Sequence, residues 1–203
     1  MKRLFRLPKK PKRFKRRRNH MDNGASSYRR FLNGDESAFD EIIKELFDSL
    51  VFFIDRYVND YHAAEDIAID CFSDLVVNRH RYNFKVKLKT YLFMLGRSRA
   101  LNYIKHRKVL TFVELNEADN VPTDRENLED TLLADKRKKA VNAALNSLPE
   151  DMRAAVHLVY FEELTYNEAA GVMKKSRKQI DNLLYRAKKE LRVILGKDGE
   201  LLL

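Results

Sequence analysis

The sequence predicts an all-α protein: two small helical domains joined by an acidic linker, the second domain containing a helix-turn-helix. Three observations carry that expectation. Apolar residues recur at i, i+3, i+4 and i+7 over most of the chain, the period of a helix with one buried face. The 203 residues include only four prolines and six glycines, and strand-like alternation is scarce. The spacing S/T-x-x-E/Q also occurs three times within 33 residues, at Ser147/Glu150, Thr165/Glu168 and Ser176/Gln179. At that spacing a hydroxyl accepts from an orphan N–H at a helix start while the longer side chain reaches back. A chain of this length has room for one or two domains, each with a modest core.

Residues 1–23 form a basic, proline-interrupted tail expected to be disordered. Residues 1–18 carry 11 Lys/Arg and no acid, so the net charge of +10 comes almost wholly from the tail. The tail lacks the apolar run of a signal peptide. It suits nonspecific attraction to nucleic acid or anionic lipid, and Met21, which follows the basic block, offers an alternative start of translation.

The first domain is expected over residues 24–109. Its long helix begins near Asp35, with Phe39, Ile42, Ile43, Leu46, Phe47, Leu50, Phe53, Ile54 and Tyr57 as a core stripe. Asn59-Asp60 interrupts it, and a second helix runs over residues 62–77 with Ile67, Cys71, Phe72 and Leu75 turned inward. Glu65, Asp66, Asp70 and Asp74 form an acidic ridge on its outer side. Residues 78–88 are polar, basic and interleaved with aromatics, including Arg81, Tyr82, Phe84 and Lys85. A third helix over residues 90–107 continues the pattern with Tyr91, Phe93, Arg97, Arg99, Tyr103, Lys105 and Arg107, and Lys108 follows it. Cations for phosphates beside flat rings for unstacked bases are what single-stranded DNA binding requires. For Tyr82, Phe84 and Tyr103 a place in the core is an equal alternative.

Residues 110–134 read as the linker; eight acids and one base lie within residues 114–135. The second domain is expected over residues 135–196, with a short tail over residues 197–203. Its three capped helices place Met152, Ala155, Val156 and Val159 on one buried face, and Ile180, Leu183, Leu184, Ala187 and Leu191 on another. The last helix turns Arg177, Lys178, Gln179, Asp181, Asn182, Tyr185, Arg186, Lys188 and Lys189 outward. Two helices joined by the short turn Lys174-Lys175, with a basic, amide-bearing face on the second, fit a DNA-reading helix-turn-helix. Lys178, Gln179, Asp181 and Asn182 stand where base edges are reached; Arg186, Lys188 and Lys189 suit phosphates.

The exclusions are equally plain. A single Cys71 excludes an internal disulfide and fits a reducing, cytoplasmic compartment. No metal spacing, nucleophile–base pair or phosphate-binding glycine loop is evident, so no metal, cofactor or catalysis is expected. No apolar run approaches the roughly 18 residues of a membrane span.

The order of parts resembles bacterial sigma factors of the extracytoplasmic-function group: region 2 over residues 28–108 and region 4 over residues 135–195. In the first domain the resemblance rests on Gly34-Asp35-Glu36-Ser37-Ala38-Phe39, Ala64-Glu65-Asp66-Ile67 and Asp70-Cys71-Phe72. Leu88-Lys89-Thr90-Tyr91-Leu92-Phe93 through Ala100-Leu101-Asn102-Tyr103 extends it. In the second it rests on Leu145-x-x-Leu148-Pro149, Tyr166-x-Glu168-x-Ala170 and Tyr185-Arg186-Ala187-Lys188-Lys189-x-Leu191. The resemblance implies that Glu65, Asp66 and Asp70 bind the RNA polymerase core. It implies that residues 78–88 with Tyr91, Arg97, Ser98 and Asn102 capture the melted −10 element, and that the helix-turn-helix reads the −35 element as duplex. It further implies an anti-sigma factor as a partner, and a linker that threads the polymerase channels as a nucleic-acid mimic. The family usually has Asn where Ser98 stands, Trp where Tyr91 stands, and Gly-Ile where Lys174-Lys175 form the turn. Two rivals follow from the residues alone: a repressor acting on duplex DNA without polymerase, and a helical adaptor that binds only proteins.

Overall fold

A computed structural model describes the backbone of residues 24–114 and 134–200, with side chains over residues 24–109 and 141–195. The basic tail, residues 115–133 and the side chains of the last residues lie outside the described residues, as do the expectations placed on them. The described elements are helical: α1 Ala25–Leu32, α2 Ser37–Val58, α3 Tyr61–Val77, α4 Leu88–Glu114, α5 Ala134–Ser147, α6 Glu150–Val156, α7 Tyr166–Met173 and α8 Arg177–Glu200.

The first domain is built on α2. Ile42, Leu46, Leu50, Phe53, Ile54 and Tyr57 are buried, while Phe39, Ile43 and Phe47 lie half-buried at the edge of the same stripe. α3 and α4 pack against it and against each other, and α1 packs on its first turns. Asn59 ends α2 in the left-handed region at φ 55°, and Asp60 caps α3 by accepting from the Ala63 amide at 3.1 Å. The break expected at Asn59-Asp60 is therefore a cap followed by a cap. At Gly96 a Cβ would stand 2.9 Å from Leu50 Cδ1, so glycine lets α4 lie close against α2.

In the second domain α8 packs on α6, α7 and α5. Ile180, Leu184, Ala187 and Leu191 are buried as expected, together with Met152, Ala155 and Val156.

Four expectations need correction. Ser147 does not cap a helix: it ends α5 and its hydroxyl donates back to the Ala144 carbonyl at 2.8 Å. The following helix instead opens behind Pro149, which supplies no side-chain cap. α6 stops at Val156 and the chain winds into a π turn over His157–Phe161. That extra residue per turn rotates Val159 from the core to a half-buried position. α4 is longer than expected at both ends and reaches into the range assigned to the linker. Finally, Asp74 is not on the outer ridge; it is buried at 7 % exposure.

The domains touch. α7 lies across α4 and α6 meets α2. Lys89 Nζ reaches Glu162 Oε2 at 2.7 Å and its main-chain carbonyl at 3.1 Å, and Lys87 Nζ reaches Glu168 Oε1 at 2.8 Å. His157 stacks on Phe53 from the other domain, and Arg56 donates to Asn146 at 2.8 Å.

Candidate nucleic-acid interface

The helix-turn-helix is set by its two remaining capping boxes. At α7 the Thr165 amide donates to Glu168 Oε2 at 2.8 Å and the Glu168 amide to Thr165 Oγ1 at 3.3 Å. At α8 the Ser176 amide donates to Gln179 Oε1 at 2.7 Å and the Gln179 amide to Ser176 Oγ at 3.2 Å. Between them Lys174 takes the left-handed conformation at φ 52°. The Lys175 amide then donates to the Ala170 carbonyl at 2.9 Å, closing the helix end in the manner usually left to glycine. Met173 is buried beneath the turn, and Lys175 Nζ pairs with Asp151 of α6 at 3.0 Å.

This fixes the outer face of α8. Arg177, Lys178, Gln179, Asp181, Asn182, Tyr185, Arg186 and Lys189 are exposed. Lys188 is half-buried, its ammonium 5.1 Å from the centre of the Tyr160 ring. The Gln179 amide oxygen is committed to the cap, which leaves its NH₂ as the donor still available. Lys175, Gln179, Asn182 and Arg186 line one shallow recess.

The basic-aromatic stretch of the first domain is arranged differently. Tyr82 is 3 % exposed, donates to the Val86 carbonyl at 2.8 Å and packs against Tyr28, Phe84 and Tyr91. Of the two places open to it, the structure puts Tyr82 in the core. Phe84 sits at φ 59° and is half-buried, with the Arg29 guanidinium 4.8 Å above its ring. Tyr91 and Tyr103 are half-buried; Arg81, Lys85, Ser98 and Asn102 are exposed. Arg97 is half-buried beside the Tyr57 ring. Burial pushes the Tyr57 hydroxyl up to about 12, so it stays protonated there.

The ridge on α3 is narrower than its spacing suggests. Asp66 is exposed, Glu65 is half-buried beside His62, and Asp70 faces Arg99 at 3.6 Å. Ile69, exposed at 52 %, stands among them.

Two features escaped the sequence reading. One is Asp74 with its cationic neighbours; Asp74 lies seven residues after Ile67, on the inner side of α3, which the heptad spacing signalled. The other is the Lys89–Glu162–His157 cluster, which joins residues far apart in sequence. Burial raises the Glu162 pKa, but contacts from His157 and Lys89 more than offset it and hold the carboxyl below its ordinary value. His157 Nε2 is 3.2 Å from Glu162 Oε1 but poorly aligned for a hydrogen bond.

A two-domain helical protein with a helix-turn-helix and a second basic surface is a DNA-binding factor by construction. Family models extend this: the sigma-70 region 2 model matches residues 42–109 and the sigma-70 region 4 model residues 138–191, together more than half of the chain. This chain belongs to the sigma-70 family of RNA polymerase sigma factors, in its extracytoplasmic-function group. It is 26 % identical over 160 residues to the ECF RNA polymerase sigma factor SigM of Bacillus subtilis, covering 78 % of this chain and 95 % of that protein. It is also 26 % identical over 170 residues to the RNA polymerase sigma-H factor of Pseudomonas aeruginosa, covering 80 % and 88 %. The fold matches the sigma factor RpoE of Bartonella quintana, solved with the anti-sigma factor NepR, at a TM-score of 0.63 and 21 % identity, covering 79 % of this chain and 98 % of that one. Among the described residues no helix is long and apolar enough to cross a membrane.

Proposed function

We propose that this sigma factor divides the promoter between its two basic surfaces and performs no catalysis of its own. The exposed first turns of α8 carry the proposal. Lys178, Gln179, Asp181 and Asn182 are presented to base edges in the major groove of the −35 duplex, with Arg177, Tyr185, Arg186, Lys188 and Lys189 toward the backbone. Arg81, Phe84 and Lys85, with Tyr91, Arg97, Ser98 and Asn102 of α4, engage the −10 strand. Tyr82 contributes from beneath, as the support of that loop.

Glu65, Asp66 and Asp70 on α3 dock to the polymerase core, Ile69 adding apolar contact among the charges. The protein works where the polymerase works, in the cytoplasm. An anti-sigma factor is a fitting partner, since the similar sigma factor RpoE of Bartonella quintana was solved with the anti-sigma factor NepR. Melting is driven by capture of unstacked bases, not by nucleotide hydrolysis.

The test is transcription in vitro with purified core polymerase and a promoter selected by the chain itself. Initiation that needs this chain and is lost in Asp66→Lys/Asp70→Lys supports the assignment, because reversed charges against a basic partner cost several kcal/mol. Binding of promoter duplex with no effect on core-dependent initiation would contradict it.

A further inference from the structure

The junction between α3 and α4 contains a carboxylate that the functional reading has not used. Asp74 is the last acidic residue of α3, one turn before the helix ends. Its side chain is 6 % exposed, and three partners converge on one oxygen, Oδ1. Asn78 donates through Nδ2 at 2.7 Å, Arg81 through a guanidinium nitrogen at 3.0 Å, and a guanidinium nitrogen of Arg99 lies at 3.6 Å.

These partners come from three places. Asn78 caps α3, its amide donating to the Asp74 carbonyl at 2.8 Å. Arg81 ends the single 3-10 turn Arg79–Arg81 that opens the basic-aromatic loop. Arg99 stands on α4, the helix to which the loop returns. One buried carboxylate thus ties the loop's entry to both helices that flank it.

The loop also has an aromatic clamp close by. Tyr28 of α1 donates to the Leu75 carbonyl at 2.8 Å, and its ring meets those of Tyr82 and Phe84 at 5.5 and 6.1 Å. The rings hold the middle of the loop, while Asp74 holds its start.

We infer that Asp74 is a positioning residue for −10 recognition: by fixing Asn78, Arg81 and Arg99 it sets the loop's shape before DNA arrives. It touches no DNA itself, being buried. Its action is to keep Arg81, whose side chain is 56 % exposed, pointed along one direction. A preset loop loses less conformational entropy on binding a strand. The inference rests on the proposed role of the loop in −10 capture, and the experiment separates the two.

The experiment uses the full chain, without polymerase, and the near-isosteric variant Asp74→Asn. Amide hydrogen exchange over residues 78–88 reports loop order with no DNA present. Fluorescence anisotropy reports affinity for a single-stranded −10 oligonucleotide and for a −35 duplex. Loss of the charge-assisted bonds is expected to raise loop exchange and weaken single-strand binding by about tenfold each, leaving duplex binding within about twofold. A merely structural role would lower both affinities together, and that result would overturn the inference. Unchanged loop exchange would overturn it too, whatever the affinities do. Raised exchange with intact single-strand affinity would overturn it through the reading beneath it, since the loop would then not be what holds the strand. If Asp74→Asn does not fold, Asn78→Ala removes one of the three ties without altering the buried charge and is judged by the same two readouts.

Discussion

The two surfaces assigned to DNA differ in how their side chains are held. On α8 almost every candidate residue projects into solvent from a rigid helix whose start is fixed by Ser176 and Gln179. In the loop before α4 the residues of similar chemistry are split. Tyr82 is buried, Phe84 is half-covered by Arg29, and Arg81 leans on Asp74. A helix separates its reading face from its core by geometry alone, whereas a loop has no period, so each ring must be allotted by packing. The helix-turn-helix presents a finished reading surface; the loop's surface depends on what lies under it.

The largest expected effect sharpens that contrast. Tyr82→Ala removes a fully packed ring and its hydrogen bond, and is expected to cost about 3–5 kcal/mol of stability. Tyr185→Ala, at 73 % exposure, is expected to stay within about 0.5 kcal/mol. Thermal melts of the two variants make the comparison, and equal shifts would erase it.

Glu162→Gln weakens one of the contacts between the domains. Removing the charge opposite Lys89 is expected to cost about 1–3 kcal/mol near neutral pH. Because the folded carboxyl titrates below its ordinary value of 4.5, the stabilisation is complete above that value and is lost as pH falls through the lower folded one. Melts of wild type and variant should therefore differ at pH 7 and converge in acid. A difference that persisted in acid would place the effect elsewhere than in the charge.

Lys178→Ala and Asn182→Ala alter exposed side chains and are expected to leave melting unchanged. Each should reduce discrimination among base-substituted −35 duplexes by roughly 1–3 kcal/mol. Uniform weakening across all sequences would make these residues phosphate contacts instead.

How much of this was legible in the sequence follows the same division. The stripes of α2 and α8 were readable because burial repeats with the helical period, and the outward set on α8 followed from the inward one. Thr165/Glu168 and Ser176/Gln179 were readable because a capping box is local. Ser147/Glu150 had the same spacing, but Pro149 falls between the pair, and Ser147 bonds back into the preceding turn. The smallest prediction tests that distinction: Thr165→Ala is expected to cost about 1 kcal/mol, and Ser147→Ala no more than about 0.5 kcal/mol. The π turn at His157–Phe161 has no comparable local signature, and its consequence was the misplacement of Val159. Asp74 and the Lys89–Glu162 pair were hidden for another reason. A buried charge is tolerated only with partners; Asp74 takes two of its three from the turn just after it, but Arg99 stands 25 residues away on α4, and Glu162 lies 73 residues from Lys89.

The claim that the two surfaces divide the promoter is tested most directly by permanganate footprinting of −10 thymines in open complexes formed with core polymerase. Arg81→Ala/Lys85→Ala is predicted to suppress −10 reactivity strongly while −35 duplex binding by the free chain stays within about twofold, because a lost stacking or phosphate contact acts only where it is made. Full −10 reactivity in that variant, or an equal loss at both elements, would contradict the division.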